Sequence, residues 1–155
     1  MSGDLALTWD SLLGAADLSV TSGDYVTDDG LRTAVELSLF TDRRAEDTDV
    51  LPDGETDRRG WWADAVSEVE GDRMGSRLWL LARAKDTPDT FSRAEEYARE
   101  ALAWMVADKV ADRIDVTAER VTEPPALGLD VTIVRPTGRA VSFRFGQAWN
   151  AEGAR

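Results

Sequence analysis

Five aspartates, Asp42, Asp47, Asp49, Asp57 and Asp64, stand close along the chain to Trp61, Trp62 and Trp79 and to the arginine pairs Arg43-Arg44 and Arg58-Arg59. Two carboxylates in a cleft beside aromatic rings would be a glycosidase site, one acting as acid and the other as base or nucleophile. Nothing in the spacing selects a pair, and a chain with 30 Asp and Glu offers such neighbours without function. A calcium loop fails the same test. Asp47-x-Asp49 followed by Asp53-Gly54 begins like an EF-hand, but the third ligand and the glycine fall late and no Glu closes the loop. Neither Gly-x-Gly-x-x-Gly nor a P-loop occurs, so nucleotide binding has no support.

The other chemistry available to this stretch is docking. Planar guanidinium groups bond carboxylates bidentately, and Trp combines a large apolar area with one N–H, so both gain from a desolvated contact. On that ground Phe40 to Ala84 reads as a docking region first and an active site second. The plainer alternatives stay open: the arginines neutralise the acids around them at about 0–1 kcal/mol per exposed pair, and Trp61, Trp62 and Trp79 fit a core as well as an interface.

Composition narrows the classes further. The chain has no cysteine and no histidine, which removes thiolate nucleophiles, disulfides, Cys/His zinc sites and His-based acid–base schemes. A net charge of −12 argues against naked nucleic acid as a partner. No run approaches the roughly 18 apolar residues that span a bilayer, and the N-terminus lacks the layout of a signal peptide, so a soluble cytoplasmic product is expected. At 155 residues, one domain over 1–155 is the simplest organisation.

The elements that must position the docking region follow from periodicity. Asp4 to Asp10 alternates as a half-buried strand with Leu5, Leu7 and Trp9 on one side, and Asp17 to Val20 is a second, weaker strand ending at Thr21-Ser22-Gly23-Asp24. Thr27 is the expected N-cap, with Asp28-Asp29 in the first turn, of a helix from about Asp28 to Phe40 carrying Leu31, Ala34, Val35 and Leu39. A long loop follows, with one short turn near Ala65, Val66 and Val69 and a short apolar helix from Arg77 to Ala84 capped by Ser76. Thr87-Pro88-Asp89 starts the longest helix, with Ser92 and Glu95 as a second capping box, and its stripe runs from Phe91 through Ala94, Ala98, Ala101 and Met105 to Val110 and Ile114. Val116 and Ala118, then Leu129, Val131 and Ile133, then Val141, Phe143 and Phe145 alternate as strands around turns at Pro124-Pro125 and Pro136-Thr137-Gly138. The fold class is α+β: a small, mainly antiparallel sheet packed against a long helix, with a long loop between helices.

The order of these features resembles a known family. Leu39-Phe40-Thr41-Asp42-Arg43-Arg44, Arg59-Gly60-Trp61-Trp62-x-Asp64, Gly75-Ser76-Arg77-Leu78-Trp79-Leu80-Leu81, Ala94-Glu95-Glu96-Tyr97 and Ala101-Leu102-x-Trp104, between a short first strand and a closing strand pair, are similar to the Mu-like contractile-phage baseplate wedge proteins. These are relatives of the tail-sheath initiators, some of which carry a lysozyme-like name. The resemblance covers nearly the whole chain and implies a non-enzymatic virion component without cofactor or metal. It implies a place in the tail baseplate, or in a related injection particle, in six-fold arrangement around the tube. Such a subunit joins wedge proteins, presents a surface for the first ring of sheath subunits, and is made in the host cytoplasm with no nucleic-acid or membrane partner.

Within that resemblance Arg43, Arg44, Arg59 and Arg77 are the positions suited to gripping wedge helices, beside Trp61, Trp62 and Trp79. The C-terminal strand Arg139 to Trp149, with Val141, Phe143 and Phe145 inward, is the expected edge for strand exchange. An acidic surface would suit partners with basic faces. A cell-wall glycosidase using the loop carboxylates is the alternative, and an adaptor domain of unrelated origin a third.

Overall fold

The computed structural model describes residues 4–5, 7–10, 15–18, 20–21, 24–25, 27–28, 30–52, 54–68, 70–71, 73–123 and 125–148. Six short strands open the chain: β1 (Asp4–Leu5), β2 (Leu7–Asp10), β3 (Ala15–Leu18), β4 (Val20–Thr21), β5 (Asp24–Tyr25) and β6 (Thr27–Asp28). They pair antiparallel as β1 with β6, β2 with β3 and β4 with β5. Helix α1 (Leu31–Phe40) lies beside β2 and β6. After the long loop come α2 (Pro88–Ala107) and a three-stranded antiparallel sheet of β7 (Arg113–Thr122), β8 (Pro125–Val134) and β9 (Ala140–Ala148), in that order.

The alternation at the C-terminus becomes sheet register. Val116 faces Val131, and Val131 in turn faces Phe143; Ala118 faces Leu129, which faces Phe145. Because side chains alternate across a strand, these rows share one face. That face is buried together with Val35, Leu39, Leu78 to Leu81 and the α2 stripe Ala94, Ala98, Ala101, Leu102 and Met105. Three alanines at this contact let the helix approach β7 closely.

Two polar contacts then fasten α2 to the sheet. Arg99 donates to the Val116 carbonyl at 2.9 Å, and Glu95 Oε1 accepts the Ala118 N–H at 3.0 Å. The outer edge of β7 is thereby engaged by helix side chains at Val116 and Ala118, whereas β9 has no further strand beside it among the described residues. The α+β architecture is as expected, and β9 is a sheet edge.

Several local expectations are corrected. Helix α1 starts at Leu31, not near Asp28, because Thr27 and Asp28 are taken into pairing with Leu5 and Asp4; Gly30, at φ 79°, makes the entry. Helix α2 begins as expected, with Thr87 Oγ1 accepting the Thr90 N–H at 3.4 Å, but Glu95 serves the sheet instead of a capping box with Ser92. It ends before Val110 and Ile114. Lys109, at φ 60°, turns the chain, Lys109 N–H bonds the Val106 carbonyl and Val110 N–H bonds that of Met105, the pattern of a Schellman motif. Ile114 then belongs to β7.

The expected helix from Arg77 to Ala84 is a single 3-10 turn over Leu78–Leu81, and another 3-10 turn spans Trp62–Val66. The faces assigned to Leu5, Leu7 and Trp9, the Ser22-Gly23 turn, Asp29, Asp53, Val69, Pro124 and Trp149 lie outside what the structure describes. No helix among the described residues is long and apolar enough to cross a membrane.

Candidate functional site

The long loop between α1 and the Leu78–Leu81 turn folds back on itself through its ends. Arg43 N–H donates to the Ser76 carbonyl at 3.0 Å, and Ser76 N–H donates to that of Thr41 at 2.9 Å. Ser76 Oγ donates to the Leu39 carbonyl and accepts Leu78 N–H at 3.2 Å, so one buried hydroxyl joins the end of α1 to the start of the 3-10 turn. Gly75 makes this crossing feasible: at φ 97°, a Cβ there would sit 2.2 Å from the Thr41 oxygen.

Inside the loop, arginines bind backbone and carboxylates. Ala45 N–H donates to the Arg58 carbonyl at 2.9 Å, and Arg58 in return reaches the Glu46 carbonyl. Arg59, at φ 53°, pairs with Asp42 at 2.9 Å and lies over the Trp79 ring with its cation 4.4 Å from the centroid. Trp79 is buried, and its indole N–H donates to the Arg43 carbonyl at 2.8 Å.

A second group ties the loop to α2. Arg77 holds both oxygens of Asp49 at 3.0 Å and Glu100 at 2.9 Å, and its guanidinium stacks 4.5 Å from the Tyr97 ring centroid. Arg43 approaches the same Glu100 at 3.8 Å. Burial opposes the charge on Arg77, but the hydrogen bonds and charges of Asp49 and Glu100 outweigh it and hold the pKa above the ordinary arginine value. Burial, helped by the Asp49 charge, also raises the Tyr97 phenol.

This arrangement sorts the residues singled out from the sequence. Arg43, Arg59, Arg77 and Trp79 are engaged within the chain, as the staples of the loop. Arg44 is exposed, its guanidinium 3.5 Å from the Arg59 carbonyl. Trp61 and Trp62 are 41% and 77% exposed, in contact with each other at 5.8 Å between ring centroids. Phe145 is buried against Phe40, and Phe143 is half-buried beside it. Arg32 of α1 covers both rings at 5.9 and 5.5 Å and pairs with buried Glu36 at 2.9 Å. Thus Phe143 and Phe145 sit on the edge strand β9 and pack against Phe40 and Arg32 of α1.

Four of the five loop carboxylates accept hydrogen bonds within the chain, whereas Asp47 is exposed and offers its main-chain carbonyl to Arg58 at 3.4 Å. Asp42 and Asp49 are arginine partners, and Asp57 accepts Arg59 N–H at 2.8 Å. Asp64 accepts Met74 N–H at 3.2 Å. Among the described residues no cluster of three acids is placed to hold a metal ion. Geometry of this kind fixes a loop in shape.

Sequence reasoning placed Val66 in a short turn and Trp104 in a family motif, gave neither a contact role, and did not single out Leu37. All three are exposed, and with Trp61 they line one groove between α1, α2 and the Trp62–Val66 turn. The signal was present in Leu37, which falls off the stripe of Leu31, Val35 and Leu39 and therefore on the outer face of α1.

Comparison with known proteins adds an independent line. The family model described as phage protein GP46 matches residues 31–140. The chain is 45% identical over 147 residues to baseplate protein gp46 of Escherichia phage Mu, covering 95% of this chain and 97% of that protein. It is 38% identical over 147 residues to Mu-like prophage FluMu protein gp46 of Haemophilus influenzae, covering 95% and 98%.

Proposed function

The chain belongs to the phage protein GP46 family, and on that premise we propose that it is a structural baseplate subunit that binds wedge proteins and nucleates the sheath of a contractile tail or related injection particle. The name of the phage Mu relative supports the baseplate role. The observation that carries the finer reading is the contrast within one loop: Arg43, Arg59, Arg77 and Trp79 are engaged in internal staples, while Trp61 and Trp62 remain exposed side by side. Holding two indoles in water costs apolar hydration that a partner surface relieves, and Trp is a frequent centre of binding energy.

In this reading Arg43, Arg59, Arg77 and Trp79 contribute to docking by fixing the loop's shape, and Arg44, Trp61 and Trp62 make contact. The outer edge of β9, backed by Phe143 and Phe145, is the candidate for strand addition by a sheath subunit, since main-chain groups there have no neighbour strand among the described residues. The test is co-expression with the neighbouring tail proteins of its own gene cluster, followed by affinity isolation and negative-stain imaging. Six-fold assemblies containing the chain, lost on Trp61→Ala with Trp62→Ala while the melting temperature is kept, are the expected result. A chain that joins none of these proteins but releases sugars from peptidoglycan would overturn it.

A further inference from the structure

Four exposed apolar side chains converge on one open groove of about 620 Å³: Leu37 from α1, Trp104 from α2, and Trp61 and Val66 from the loop. Trp104 is held in place rather than free, since its indole N–H donates to Ser38 Oγ at 3.0 Å and Ser38 in turn donates to the Ala34 carbonyl at 2.8 Å. The indole face is therefore presented by a fixed ring. Two of the groove's walls are helices whose main-chain groups bond internally, so an extended segment would find no ladder there. A helix, which satisfies its own backbone, is the segment that fits.

The groove also has a sign. Its two ionic linings are Arg73 and Asp64. Arg73 is neutralised by Glu46 at 3.0 Å. The Asp64 carboxylate receives Met74 N–H on Oδ1, while Oδ2 is buried with no hydrogen-bond partner. A buried acceptor left without a donor is rare in a finished site, because it forfeits its hydration. Exposed Glu68 and Glu70 follow a few residues on in the chain, outside the groove's lining.

We propose that this groove docks an amphipathic helix of a partner protein, whose apolar row seats among Leu37, Trp61, Val66 and Trp104 and whose Lys or Arg side chain supplies the donor for Asp64. The inference deepens the baseplate reading, on which it rests for the partner being another tail component.

The test uses the full chain and two synthetic helical peptides with the same Leu/Ala row, one flanked by Lys and one by Glu, titrated by tryptophan fluorescence and calorimetry. The Lys peptide is expected to bind at least about 10-fold tighter than the Glu peptide, in keeping with one charge-assisted contact. Asp64→Asn, which keeps an acceptor for Met74 N–H, should erase that preference. Leu37→Glu, at an exposed position, should abolish binding of both peptides with an unchanged circular dichroism spectrum. Equal binding of the two peptides, no binding of either, or binding that survives Leu37→Glu would overturn the proposal. So would self-association in sedimentation that Leu37→Glu removes, which would make a second copy the occupant. Co-assembly separates the two readings: a Leu37→Glu chain that still joins the tail proteins sinks the groove as their docking site and leaves the baseplate role standing. A wild-type chain that binds the Lys peptide yet joins no tail protein sinks the baseplate role and leaves the groove.

Discussion

The Arg59 guanidinium lies 4.4 Å from the centroid of the Trp79 ring, and the edge of that same indole donates its N–H to the Arg43 carbonyl at 2.8 Å. One buried aromatic thus fixes both arginine-bearing ends of the loop, by its face and by its edge. Trp79→Phe should destabilise the fold by about 1–3 kcal/mol, since it leaves the Arg43 carbonyl without its donor and the site underfilled. Trp62→Ala, on an exposed ring, should stay within about 0.5 kcal/mol. Urea unfolding of the two variants against the parent measures the contrast.

Arg77 holds Asp49 and Glu100 together where all three are largely shielded from water. Removing the cation strands two carboxylates, so Arg77→Ala should cost about 3–5 kcal/mol. Arg77→Lys should recover little of that, because an ammonium cannot bond both oxygens of Asp49 and still reach Glu100. Chemical denaturation of both variants, with Arg44→Ala as the exposed comparison, checks the order.

How much of this was legible in the sequence depends on how local each determinant is. The strands β7, β8 and β9 announce themselves, because Val116, Leu129, Val131 and Phe145 alternate and Gly138 marks the turn. The start of α2 is equally plain, since Thr87, Pro88 and Asp89 act within one turn of each other. The loop's order was not legible, because it rests on partners far apart in the chain, such as Arg77 with Asp49 and Ser76 with the Leu39 carbonyl. The end of α2 was hidden for a different reason: a lysine, not glycine or asparagine, occupies the left-handed position. The docking groove escaped notice because Leu37, Val66 and Trp104 come together only once α1, α2 and the loop have packed.

The Tyr97 phenol gives a pH dependence. Burial raises its pKa above the usual 10, so the folded chain keeps a proton that the unfolded chain loses. Stability from this group is fully present below the unfolded value, about 10, and is lost as pH rises through the folded value. Arg77, also raised, adds to the loss at still higher pH. Melting temperature should therefore fall above about pH 10, and Tyr97→Phe should flatten the early part of that fall.

Lys109 offers a stabilising change. Its φ of 60° costs a side-chain-bearing residue energy that glycine does not incur, and it is exposed at the end of α2. Lys109→Gly should raise stability by about 0.5–1 kcal/mol, the relief of strain exceeding the extra freedom that glycine gives the unfolded chain.

Gly75 and Gly54 separate backbone conformation from close approach. Both have positive φ, 97° and 81°, so an alanine at either carries the left-handed penalty of about 1–2 kcal/mol. At Gly54 the added methyl meets open space, whereas at Gly75 it would lie 2.2 Å from the Thr41 oxygen and 3.1 Å from the Arg43 nitrogen, both main-chain atoms that cannot swing aside. Gly54→Ala should therefore cost no more than about 2 kcal/mol, and Gly75→Ala substantially more, because the Ser76 bonds that join α1 to the 3-10 turn must break to admit the methyl group. Hydrogen exchange at Arg43 and Ser76, whose amides make that crossing, should accelerate in Gly75→Ala and stay as in the parent in Gly54→Ala. Equal behaviour of the two variants would mean that the loop's ends are not held by this crossing, and that the Arg77 and Arg59 contacts keep its shape alone.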